Sequence, residues 1–149
     1  MEKLNFSVEI KASKEKVWEL MLSDANYREW TEVFHEGSHF VGNWEQGSEM
    51  QFLGPDGNGG LGGLAGIIEE NRPAEFLSIR YLGVVTNGVV DSSSDQVQIW
   101  IGSHENYSFT EKDGVTTVDI ELDSSEDISA MFEDMWPKGL AKLKEICER

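Results

Sequence analysis

Basic residues are scarce in this chain: 12 Lys and Arg stand against 28 Asp and Glu, a formal net charge of −16. A surface of that sign repels phosphate backbones and anionic headgroups, which argues against nucleic acid as a partner. Long hydrophobic runs are missing as well. Nothing approaches the roughly 18 apolar residues of a membrane-spanning helix, so no membrane insertion is expected. The lone cysteine, Cys147, has no second thiol with which to close an internal disulfide. The first residues, Met1-Glu2-Lys3-Leu4-Asn5, enter a strand pattern rather than an apolar leader, and together these features make a cytoplasmic location the expectation. The sequons at Asn5-Phe6-Ser7 and Asn106-Tyr107-Ser108 fall within expected strands and are read as chance.

Large apolar side chains, by contrast, are plentiful. Five Trp and seven Phe in 149 residues are enough to organise a core, and the length suits one domain spanning residues 1–149. Leu4, Phe6, Val8 and Ile10 alternate with polar residues, the period of a strand with one buried face. Ser13 is placed to cap a helix carrying Val17, Trp18, Leu20 and Met21, and Asp24 to start a second short helix through Tyr27 and Trp30.

From Gly37 onward the chain breaks into short runs punctuated by glycine. These include Phe40-Val41, Met50-Gln51-Phe52, a Gly-Pro-Asp-Gly-Asn-Gly turn, and a strand ending near Glu70. Arg72-Pro73 marks a reversal before the alternating Leu77, Ile79 and Tyr81. The stretch Asp91-Ser92-Ser93-Ser94-Asp95 reads as a mobile loop, followed by a strand through Val97-Gln98-Ile99-Trp100 and another through Tyr107-Ser108-Phe109. A Lys112-Asp113-Gly114 turn then leads to alternating Val118, Ile120 and Leu122.

The last segment is helical. Ser124 or Ser125 can cap it, and Ile128, Met131, Phe132, Met135, Leu140, Leu143 and Ile146 form an apolar stripe. Pro137 inside that stripe predicts a kink near Asp134. The fold class expected is α+β: a curved antiparallel sheet of about six or seven strands around one long C-terminal helix, with two short helices after strand one.

Four segments carry a resemblance to a known superfamily. Ser7-Val8-Glu9-Ile10-Lys11-Ala12-Ser13-Lys14-Glu15-Lys16-Val17-Trp18 resembles the opening strand and helix of START-like, or SRPBCC, domains. Ile67-Ile68-Glu69-Glu70-Asn71-Arg72-Pro73, Asn106-Tyr107-Ser108-Phe109-Thr110 and Met135-Trp136-Pro137-Lys138-Gly139-Leu140 are similar to the branch related to the C-terminal domain of the activator of heat-shock protein 90 ATPase. The resemblance implies the helix-grip fold. It also implies functions ranging over ligand carriers, cyclases, hormone receptors and chaperone partners, among which fold does not choose.

Motifs with chemistry of their own are few. Gly57, Gly59 and Gly62 match G-x-G-x-x-G, but the residues after them read as a strand, whereas a pyrophosphate site needs a helix N-terminus; no nucleotide cofactor is expected. His35 and His39 have i, i+4 spacing, but Gly37 and Ser38 break any helix between them, so no metal is expected. Cys147 reads as a small buried thiol, and no catalytic set stands out among the many carboxylates.

The remaining clue is a set of aromatic and methionine side chains on elements expected to face the interior: Trp30, Phe34, Met50, Phe52, Tyr81, Trp100, Met131 and Met135. They suit the binding of a small hydrophobic or amphipathic molecule between helix and sheet; the alternative is plain core packing. The resemblance adds a chaperone as a possible partner and, less directly, cyclase-type chemistry.

Overall fold

The computed structural model describes residues 2–57 and 59–149; Met1 and Asn58 lie outside them, the latter within the expected glycine-rich turn. Strand β1 (Glu2–Ile10) leads to helices α1 (Lys14–Leu22) and α2 (Asp24–Thr31). Strands β2 (His39–Val41), β3 (Glu49–Pro55), β4 (Leu61–Arg72), β5 (Phe76–Thr86) and β6 (Val89–Asp91) follow. A 3-10 turn (Asp95–Val97), β7 (His104–Lys112), β8 (Val115–Ser124) and helix α3 (Glu126–Glu148) complete the chain. All strands pair antiparallel in one curved sheet, in the order β1-β8-β7-β5-β4-β3-β2, with β6 also on β5. This is the helix-grip fold: the sheet curls around α3. It has eight strands rather than about six or seven, two of them, β2 and β6, only three residues long.

Local chemistry accounts for the elements that were foreseen. Ser13 caps α1 by accepting from the Lys16 amide at 3.2 Å. Asp113 and Gly114, with φ of 52° and 79°, close the β7–β8 hairpin in the conformation that matches strand twist. Two register shifts between β4 and β5, at Ala65/Gly66 and Ile68/Glu70, are bulges of the kind that increase local twist and bend a sheet.

The expected strand through Val97-Gln98-Ile99-Trp100 does not form. Asp91 gathers the chain instead, its carboxylate accepting from the Ser93 and Ser94 amides at 3.1 and 3.0 Å and from the Ser94 hydroxyl at 2.6 Å. The chain then turns through residues 95–103 and returns where the Tyr81 amide donates to the Ser103 carbonyl and the Gly102 amide to the Tyr81 carbonyl, both at 2.9 Å. β6 and β7 therefore occupy successive stretches of the same edge of β5, separated by this excursion.

Helix α3 runs from Glu126–Glu148 across Pro137. Glu133, whose carbonyl loses its partner to the proline, and Pro137 are both exposed, so water reaches that carbonyl. The buried face comprises Ser129, Trp136, Gly139, Leu140, Leu143, Ile146 and Cys147. Its phase differs from the expected stripe: at 100° per residue Met131 lies about 140° from Trp136 and is 44% exposed. The far end of α3 is tied to β1 and α2. Lys144 donates to the Glu9 carbonyl and Glu148 accepts from the Lys11 amide, each at 2.9 Å, while Arg149 pairs with Glu29 at 2.5 Å. No helix among the described residues is long and apolar enough to cross a membrane.

Candidate functional site

Between α3 and the sheet lies a cavity of about 180 Å³. Helix α3 contributes Phe132 and Trp136, one turn apart, while α2 contributes Tyr27, Trp30 and Thr31. Phe34 and Ser38 come from the turn after α2, Phe52 from β3, Leu64 from β4, Tyr81 from β5, and Glu105 and Tyr107 from β7. All three tyrosines of the chain are in this wall. Ladder register places them: Tyr107 lies opposite Leu77 and Ile120, and Glu105 opposite Ile79 and Leu122, all on the sheet face that carries the core.

The rings are packed edge to face. Trp136 meets Phe34 at 5.0 Å between centroids and Tyr107 at 6.3 Å, and Phe52 meets Tyr81 at 6.2 Å with the planes 84° apart. Trp30 is anchored by its indole N–H, which donates to the Met21 carbonyl at 2.9 Å. Gly139 of α3 faces the Phe34 ring, and an added Cβ would come within 2.9 Å of it. A side chain there would therefore press on Phe34, a cavity residue.

Within this aromatic lining is one carboxyl group. Glu105 accepts a hydrogen bond from the Tyr107 hydroxyl at 2.5 Å, and Tyr81 lines the same cavity. Glu105 is part-buried, and the surface it retains lines the cavity. Burial pushes its carboxyl above the ordinary glutamate range, while the neighbouring phenols of Tyr107 and Tyr81 pull the other way. Burial also raises Tyr27, Tyr81 and Tyr107, with the Glu105 charge acting in the same direction. The phenols are therefore neutral donors at physiological pH. No Lys, Arg or His is among the lining residues.

Of the eight residues expected to bind a ligand, Trp30, Phe34, Phe52 and Tyr81 line this cavity together. The other four lie elsewhere. Met50 is buried and borders a separate groove with Val41, Glu49 and Val90. Trp100 sits in the excursion between β6 and β7, where its carbonyl accepts from Ser103. Met131 points away from the sheet because of the phase of α3, and Met135 is half-buried outside the cavity lining. Sequence reasoning missed Glu105 and Trp136. A signal for the first was present: with Tyr107 and Phe109 inward on β7, alternation puts Glu105 on the same face.

The other motifs take structural places. Gly57 and Gly59, with φ of 84° and 86°, belong to the β3–β4 connection, and Gly62 lies on β4. The His39 ring bonds to the Gly37 carbonyl at 2.9 Å and the His35 ring to the Pro55 carbonyl. Among the described residues no cluster of three or more His, Cys, Asp and Glu is arranged to hold a metal ion. Cys147 is fully buried, which pushes its thiol up to about 11.

No protein-family model matches the chain, and no curated protein matches it. Solved structures do. The Aha1 dimer from Colwellia psychrerythraea superposes with a TM-score of 0.72 at 19% identity, covering 99% of this chain and 97% of that one. A protein from Cytophaga hutchinsonii gives 0.72 at 20% identity, covering 99% and 94%. CalU16 from Micromonospora echinospora gives 0.65 at 16% identity, covering 97% and 75%. At these identities the likeness establishes the START-like fold, and the chemistry of this chain has to be read from its own cavity.

Proposed function

We propose that the protein binds a small hydrophobic or amphipathic molecule, without transforming it, in the cavity between α3 and the sheet. One observation carries the reading: a cleft of about 180 Å³, partly open to solvent, is walled by an aromatic cluster whose members otherwise pack ring against ring. A cleft walled by aromatic rings leaves apolar surface against water that a guest of matching shape would cover. The volume also limits the guest. It is comparable to an engineered cavity of roughly 150 Å³ that takes up benzene, and well below the roughly 300–1,000 Å³ of a site for a drug-sized ligand. A single ring or a branched group of similar bulk fits; a whole lipid does not.

Calorimetric titration with a panel of small aromatic, branched aliphatic and amphipathic compounds tests the reading. Saturable binding of at least one is expected, and none across the panel would refute it. Replacing Phe132 with Trp adds bulk inside the lining and should weaken binding on the order of tenfold. Met131→Trp, on the exposed side of the same helix, should leave affinity unchanged. Equal affinity in both folded variants would place the guest somewhere other than this cavity.

A further inference from the structure

Taking that binding reading as its premise, we infer that the guest is an organic cation, a compact alkylammonium or aromatic ammonium, and that Glu105 is its counter-ion inside an aromatic box. Tyr27, Trp30, Tyr81 and Trp136 line the same space as Glu105. Aromatic faces carry negative potential and attract ammonium groups within about 6 Å of the ring centroid, most strongly where water is excluded. A carboxylate among them adds a full charge of the same sign as that potential.

Three further observations favour a cation over a neutral or anionic guest. No Lys, Arg or His lines the cavity, so a carboxylate or phosphate guest would meet Glu105 without a balancing charge. The Tyr107 hydroxyl donates to Glu105 at 2.5 Å, an interaction that favours the ionised carboxylate against the desolvation that disfavours it. The net charge of −16 draws cations toward the protein and repels anions.

Titrating choline against its neutral isostere 3,3-dimethylbutan-1-ol, which replaces the ammonium nitrogen with carbon, separates charge from shape. Benzylamine and benzyl alcohol form a second pair. The cationic member of at least one pair should bind on the order of tenfold more tightly, and Glu105→Gln, which keeps the shape and removes the charge, should erase that preference. Cation affinity should also fall on acidification, beginning at a higher pH than an exposed glutamate would impose, while the neutral partner's affinity stays flat. The titratable groups that act on Glu105 are Tyr27 of α2, Tyr81 of β5 and Tyr107 of its own strand, none of which titrates in that range. This pH comparison uses the unaltered protein, so the inference remains testable should Glu105→Gln fail to fold.

Neutral members binding as well as the cations would overturn the cation assignment and leave the cavity reading intact. A cation preference that survives in Glu105→Gln would trace to the surface charge, and would also overturn it. No binding by either pair or by the wider panel would remove both claims.

Discussion

Replacing Trp136 with Ala should cost about 3–5 kcal/mol of stability and lower the melting temperature by roughly 10 °C or more. Trp136 is 4% exposed and lies where α3 meets every other layer. It stacks on Phe6 of β1 at 6.1 Å and meets Trp30 near the end of α2 at 6.0 Å, in addition to its contacts with Phe34 and Tyr107. Removing the indole leaves a hole beside a cavity that already exists, so neighbouring side chains have little incentive to collapse inward. The enlarged space should accept indole, and millimolar indole should recover part of the lost stability. Urea and thermal denaturation measure both effects. A loss below about 1 kcal/mol would show that α3 repacks without this side chain.

Gly63→Ala is expected to cost more than about 3 kcal/mol. Gly63 has a φ of 154°, and a Cβ there would drive into the carbonyl oxygen of Phe52 on the neighbouring strand. Phe52 and Leu64, directly opposite each other in the β3–β4 ladder, are both cavity residues, so the strain falls on one wall of the site. Gly59→Ala is the control: φ there is 86°, but nothing lies within 4 Å of an added Cβ. It should cost only about 1 kcal/mol, the conformational part alone. Similar denaturation midpoints for the two variants would mean that Gly63 is not held by close approach.

What the sequence disclosed, and what it concealed, follows from the range of the interactions. The alternation of Leu4, Phe6, Val8 and Ile10, the Ser13 cap and the Asp113-Gly114 hairpin depend on neighbours a few residues away, and all three are legible in the residues themselves. The excursion between β6 and β7 was not. Val97-Gln98-Ile99-Trp100 has good strand composition, but Asp91 captures the two serines ahead of it and the edge of β5 is already occupied on either side. Tertiary context overrode propensity.

The site divides in the same way. Trp30, Phe34, Phe52 and Tyr81 were identifiable as large side chains on inward-facing elements. Met131 was misplaced because several faces of α3 are apolar enough to be the buried one, and packing against β1 and α2 selects the phase. Glu105 was hidden among 28 acidic residues, and only the register of β7 distinguishes it from its solvated neighbours.

The excursion has a kinetic consequence. The Tyr81 backbone is held on one side by Ser103 and Gly102, at the end of a loop, instead of by a continuous strand. Loop openings are cheaper than ladder openings, so the Tyr81 amide should exchange its proton with deuterium faster than those of Leu77 and Ile79 earlier on β5. A guest that presses on the Tyr81 ring from within should slow that exchange, so occupancy of the interior can be timed from the outer rim by mass spectrometry or NMR.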